Sequence, residues 1–285
     1  MFFISLTLNK KMKRVLLSIS FFIITSLLNA AKVDTLVVYS PSMKKNTKTC
    51  VVYPDTYSKT GTAYPVLYLL HGYSGNYASW VNGFPQIKQY ADWYNMIIVG
   101  VDGGFSSWYF DSPIDSTMKY ETYVTKEVIG FIDYTFNTIK SKEGRAICGL
   151  SMGGHGALYL SMRHQDIFGA AGSMSGGIDF RPFPQQWDLA KRLGDITKYP
   201  DNWKKNTVLY QLAMFKIDKL AIIIDCGIDD FFIGGNRELH QKMLKLNIKH
   251  DYIERPGGHT WQYWENALPY QVMYFDNFFK KNSKK

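Results

Sequence analysis

The stretch "ICGLSMGGHGALYL" (147–160) sets one serine among four glycines, where an apolar run ends and another begins. Gly149-Leu150-Ser151-Met152-Gly153 fits G-x-S-x-G in the strand–turn–helix setting that separates a nucleophile elbow from a chance pentapeptide. In an elbow the serine hydroxyl stands clear in a tight turn, and small neighbours let strand and helix pass closely. Gly149 and Gly153 meet that need, while Gly154 and Gly156 suit close packing of the helix on its surroundings. A serine hydroxyl is a weak nucleophile at neutral pH, so it needs a base, and the base needs an orienting acid. On this arrangement the chain order should be serine, acid, histidine. His155 and His164 lie on the helix that follows the serine, His240 falls mid-helix and His250 opens a strand. His259, after "RPGG" on a loop beyond the last strand, is the candidate base. For the acid, "IIIDCGIDDFF" offers Asp225, Asp229 and Asp230. Asp225 is inside a strand, where an unpaired carboxylate is costly. Asp229 and Asp230 sit on the following loop, and spacing does not choose between them. The oxyanion of an acyl-transfer reaction needs preorganised N–H donors. The backbone amide of Met152 and that of Tyr73, in the glycine-bracketed turn "HGYSGN" (71–76), are the candidates.

These residues need a scaffold. "VDTLVVYS" (33–40) and "KTCVVYP" (48–54) read as an antiparallel hairpin. Short apolar runs follow at 65–72, 96–104, 145–151, 169–177, 220–227 and 250–258, with helical patterns near 84–94, 120–140, 152–164, 236–247 and 262–280 between or after them. Near-continuous apolar strands alternating with helices imply an α/β fold: a mostly parallel sheet covered on both faces. Each run closes on Gly, Asp, Ser or His, at the carboxyl edge where open α/β sheets bind ligands. The stretch 178–219 is too long for a simple connection and is expected to form a cap-like, partly helical excursion over that edge.

The 285 residues, 46% hydrophobic and 16% aromatic, are enough for one large domain, expected over 32–285. Lys10, Lys11, Lys13 and Arg14 precede the apolar run 15–28 and then "NAAK", the pattern of a secretory signal peptide over 1–31, cleaved after Ala30 or Ala31. Met12 can serve as the start. The expected location is secreted or periplasmic, with no stable membrane association after cleavage. The signal holds four of the 33 basic residues and no acidic one, leaving 29 − 24 = +5, of which Lys280, Lys281, Lys284 and Lys285 supply four. The charge therefore sits at the ends rather than on a basic face, and nothing supports nucleic-acid binding. Cys50, Cys148 and Cys226 lie in apolar runs without metal spacing and read as buried thiols, a bridge between two of them remaining open.

"YLLHGYSGNYASW" (68–80), "SSWYFDSP" (106–113), "YETYVTKEVIGFID" (120–133), "CGLSMGGHGAL" (148–158), "DCGIDDFFIGGNRELH" (225–240) and "RPGGHTWQYW" (255–264) resemble, in order, the esterase D-like family of α/β-hydrolases. That family includes tributyrin-type esterases, S-formylglutathione hydrolases, feruloyl and acetyl-xylan carbohydrate esterases and mycolyltransferases, and the similarity runs from about 34 to about 278. The resemblance implies an α/β-hydrolase fold and a catalytic triad of Ser151, Asp230 and His259. Asp230 enters because the family's glycine, two residues, aspartate and aromatic pattern maps onto Gly227 through Phe232. The oxyanion amides carry over to Tyr73 and Met152. No metal or organic cofactor is implied.

The export signal and the sequence of the "HGYSGN" loop argue against a formylglutathione hydrolase, and no apolar insertion offers a long lipid groove. "HGYSGNYASW" and "SWYFDSP" look more like tributyrin-type esterases and the esterases of plant-polysaccharide degraders. The expected substrate is an acylated carbohydrate or other small ester, with feruloyl or acetyl groups of xylan-type cell-wall fragments foremost. A general short-chain esterase and a non-catalytic hydrolase-fold binding protein are the rivals. Trp108, Tyr109 and Trp261 are candidate substrate contacts; their other reading is as core aromatics beneath the loops.

Overall fold

A computed structural model describes residues 30–216 and 219–283, so nearly all of the expected signal segment lies outside the described residues. Strands β1 (Lys32–Ser40) and β2 (Lys45–Tyr53) form the antiparallel hairpin, turned at Pro41–Lys44. Then come β3 (Val66–Leu70), β4 (Ile97–Val101), β5 (Arg145–Leu150), β6 (Ala170–Met174), β7 (Ala221–Gly227) and β8 (Asp251–Arg255). Their order across the sheet is β1-β2-β4-β3-β5-β6-β7-β8. The β1–β2 and β2–β4 pairs are antiparallel and the rest are parallel.

Every residue of β3 to β6 is buried, which is why these strands read as unbroken apolar runs rather than alternating ones. The period-two alternation survives as a division between two cores. Val66, Tyr68 and Leu70 face one, together with Ala157, Leu158 and Leu239; Leu67 and Leu69 face the other, with Ile87, Ala91, Leu268 and Phe275. Helices therefore cover both faces. They are α1 (Ser79–Gly83), α2 (Ile87–Tyr94), α3 (Tyr120–Thr122), α4 (Ile129–Thr135), α5 (Met152–Arg163), α6 (Leu189–Leu193), α7 (Pro200–Lys205), α8 (Val208–Gln211), α9 (Ile233–Lys245) and α10 (Trp261–Asn282).

Two expected helices differ in detail. The pattern at 84–94 becomes α2, which starts only at Ile87, after Pro85, which cannot supply a helix-interior N–H; a separate short helix, α1, precedes it. The pattern at 120–140 stops at Thr135 and passes through a π-helical segment, Tyr123–Val128. There the Thr125 hydroxyl donates to the Glu121 carbonyl at 2.7 Å, competing with the regular ladder. Beyond Thr135 the backbone turns extended, and the Asn137 carbonyl accepts from Tyr64 N–H at 2.9 Å, ahead of β3.

The excursion between β6 and β7 carries α6, α7 and α8. It folds around Trp203, fully buried, whose indole N–H donates to the Gly194 carbonyl at 2.8 Å. All three cysteines are free and buried, and burial pushes the Cys50 thiol up to about 11.

Candidate active site

Ser151 joins β5 to α5 with φ 56° and ψ −119°. For a residue with a Cβ that conformation costs on the order of 1–3 kcal/mol and persists only where its surroundings hold it. Three backbone hydrogen bonds do so. Ser151 N–H donates to Met174 O at 2.9 Å, and its carbonyl accepts from His155 N–H at 3.0 Å and Gly177 N–H at 3.3 Å. The glycines are needed for space. A Cβ on Gly149 would lie 2.3 Å from the Gly153 carbonyl, and one on Gly153 would lie 2.1 Å from Leu70 O.

His259 reaches the serine from the loop after β8. Its Nε2 lies 2.8 Å from Ser151 Oγ, and its Nδ1 lies 2.8 Å from Asp230 Oδ2. A carboxylate at Nδ1 requires that nitrogen to carry the proton, which leaves the Nε2 lone pair facing the hydroxyl. Asp230 is itself held: its Oδ1 accepts Phe232 N–H at 2.8 Å, and its own N–H donates to Gly227 O at 3.1 Å. The Asp229 N–H to Gly257 O bond, 3.0 Å, ties the acid loop to the histidine loop, while Asp229 itself is exposed. The structure thus brings together Ser151, His259 and Asp230. Asp225, buried in β7, is instead paired with Arg255 and the Tyr263 hydroxyl, so its carboxylate is partnered away from the serine.

No acceptor among the described residues takes the N–H of Tyr73 or of Met152. The Met152 amide belongs to the first turn of α5, where helix geometry leaves N–H groups unpaired. The Tyr73 amide lies in a loop fixed by a residue that spacing alone does not single out. His71 is fully buried, its Nδ1 is 2.7 Å from Gly72 O, and its Nε2 accepts Gly103 N–H at 2.8 Å. Accepting at Nε2 places the ring proton on Nδ1, and burial lowers the ring's pKa. The only sequence signal is a His-Gly pair directly after a buried strand.

Gly72 to Asn76, Ser151 and His259 open onto a cleft of about 420 Å³, walled by Tyr73, Trp187, Phe231, Trp261 and Trp264. Trp261 therefore sits where a substrate contact was expected. Trp108 and Tyr109 do not line this cleft; they are buried, at 1% and 0% exposure. Consecutive φ values of 54° and 61° accompany this inward placement. There the Tyr109 hydroxyl donates to His71 O at 3.0 Å, and the Trp108 indole donates to Trp187 O at 3.2 Å. They are core aromatics beneath the loops. A larger concavity, about 830 Å³, is lined by Lys140, Arg145, Arg163 and Lys219 and holds no serine–histidine pair. Among the described residues no group of three or more His, Cys, Asp or Glu could hold a metal, and no helix is long and apolar enough to cross a membrane.

Comparison with known proteins agrees with this architecture. The Esterase family model matches residues 40–275. An acetyl esterase of Caldicellulosiruptor saccharolyticus is 29% identical over 249 residues, covering 81% of this chain and 92% of the relative. Esterase Rv1288 of Mycobacterium tuberculosis is 28% identical over 239 residues, 74% of this chain but 52% of that longer protein. A solved ferulic acid esterase superposes with a TM-score of 0.76 at 29% identity, over 88% of this chain and 99% of its own. With the mostly parallel eight-stranded sheet and its antiparallel N-terminal pair, the chain belongs to the esterase family of esterase D-like α/β-hydrolases.

Proposed function

We propose that the protein is an exported serine carboxylesterase that removes acyl groups, feruloyl or acetyl, from plant cell-wall polysaccharide fragments by way of an acyl-enzyme. The observation that carries the chemistry is the pair of 2.8 Å hydrogen bonds linking Ser151 Oγ, His259 and Asp230. Ser151 Oγ attacks the ester carbonyl as His259 Nε2 takes its proton. Asp230 keeps the imidazole in the required tautomer and stabilises its cation. The Tyr73 and Met152 amides receive the oxyanion, each such donor contributing about 3–4 kcal/mol in the transition state. Collapse of the tetrahedral intermediate breaks the ester bond, and His259 returns the proton to the departing alcohol. Water, activated by the same imidazole, then attacks the acyl-serine and releases the carboxylic acid.

A short-chain esterase without sugar preference is the second reading, favoured by the likeness to a protein named acetyl esterase. The basic and apolar segment before "NAAK" supports export; N-terminal sequencing of the mature protein should then start at Ala31 or Lys32. The direct test of the chemistry is hydrolysis of p-nitrophenyl acetate. The wild type should turn it over and Ser151→Ala, folded, should not. Full activity in that variant overturns the mechanism, and a wild type inert on every ester favours a binding protein. Ferulate release from feruloylated arabinoxylan separates the two enzymatic readings.

A further inference from the structure

Trp108, a candidate substrate contact whose other reading was a core aromatic, is a buried post beneath a residue that lines the cleft. We infer that Trp187 is the platform for a planar aromatic ring of the ester, and that Trp108 is the positioning residue that holds it; the inference rests on the esterase reading. Trp187 comes from the excursion between β6 and β7 and stacks on Phe231 at 5.6 Å and 20°. Phe231 in turn lies 4.3 Å from the His259 ring, so an aromatic surface runs from the base to Trp187. Phe231 is 50% exposed, so its end of this surface opens towards solvent, while Trp187 is half-buried, packs against the core with part of its ring and lines the cleft. A flat ring can stack there in an offset or edge-on arrangement, whereas an acetyl group cannot use it.

The platform does not hold itself in place. Trp187 and Asp188 both have left-handed backbones, φ 52° and 56°, a conformation that needs outside support in residues with a Cβ. The rings of Phe183 and Phe232, at 5.3 and 5.2 Å, pack against the Trp187 side chain, and the Trp108 indole N–H holds its backbone by donating to Trp187 O at 3.2 Å. Trp108 is fixed between His155 and Phe180, at ring distances of 5.4 and 5.2 Å. Tyr73 reaches the same turn through its hydroxyl, 3.5 Å from Asp188 Oδ2, which ties the platform to the loop of the proposed oxyanion amide.

The ring could belong to the acyl group or to the alcohol, and three esters distinguish the sources: methyl ferulate, phenyl acetate and ethyl acetate. Trp187→Ala should raise KM for one or both aryl esters by about tenfold. Trp108→Phe, which keeps an aromatic ring and removes the N–H, should raise it by about two- to tenfold. The ratio of kcat/KM for that aryl ester over ethyl acetate falls in both variants, with kcat changing less than KM. The proposal is overturned if that ratio keeps its wild-type value in both variants. It is equally overturned if Trp108→Phe changes all three esters by one factor, the mark of a merely structural role. Should the wild type hydrolyse none of the three, the esterase reading fails instead. The platform is then judged by calorimetric binding of the aryl esters to Ser151→Ala: Trp187→Ala in that background must weaken it, and equal binding refutes the platform.

Discussion

Replacing Gly153 by alanine tests whether the glycines exist to make room for the serine. The added methyl would lie 2.1 Å from Leu70 O, 2.5 Å from Leu70 C and 2.7 Å from His71 O. Ordinary contact begins at 3.4 Å, and all three atoms are backbone, so no side chain can swing aside. The start of α5 must therefore withdraw from β3 by roughly 1 Å, taking Ser151 and the Met152 amide away from His259 and the Tyr73 loop. Misplacement on that scale costs about 100-fold in rate. Overpacking of this kind costs about 1–3 kcal/mol, and a domain of this size loses about 2–4 °C of Tm per kcal/mol. Steady-state kinetics on p-nitrophenyl acetate, with a thermal melt of the same preparation, read both effects. A Gly153→Ala protein with wild-type kcat and Tm would refute the close-approach explanation.

Gly130, in α4, provides the contrast: nothing lies within 4 Å of a Cβ built there, so Gly130→Ala should raise stability by about 0.5–1 kcal/mol in a chemical denaturation curve. Asp230→Asn should lower kcat by about 10⁴-fold, because an amide no longer enforces the His259 tautomer. Asp229→Asn, exposed and not bonded to the imidazole, should retain most of the rate; the reverse outcome would exchange their roles. His155 is fully buried, donates from Nδ1 to Gly177 O, and has its pKa lowered by burial from 6.5 to about 3. Its neutral form therefore contributes stability that is complete above about pH 6.5 and is lost as pH falls towards 3. At pH 4.5 the loss is on the order of a few kcal/mol. Denaturation curves between pH 7 and 4.5 should show this slope, and His155→Asn should flatten it; an unchanged slope would assign the acid sensitivity elsewhere.

The strands were legible because β3 to β6 are buried throughout, so their apolar runs carry no ambiguity of face. Ser151 and His259 were legible because each stands just past the carboxyl end of β5 or β8, where chain order and turn residues mark it; the loop after β7 offered both Asp229 and Asp230, and only the family resemblance separated them. Local reading left Trp108 and Tyr109 undecided between substrate contact and core aromatic for a physical reason. Adjacency in sequence to a site loop says nothing about direction, and two consecutive left-handed residues accompany rings that lie buried beneath the loop. Trp187 could not have been chosen among the aromatics of the excursion. Its place beside Phe231 depends on how a segment between β6 and β7 settles against the loop after β7, a contact between distant parts of the chain. His71 was hidden because its partners, Gly72 O and Gly103 N–H, are backbone groups that leave no mark on residue type.

The central claim is that Ser151 is the nucleophile. Treating the protein with a fluorophosphonate and mapping the adduct by peptide mass spectrometry tests it directly, since the reagent captures a serine only where a neighbouring base activates it. The expected result is a single adduct on the peptide containing Ser151, formed much more slowly in His259→Ala and absent in Ser151→Ala. An adduct on another residue, or none from a preparation that hydrolyses esters, would contradict it.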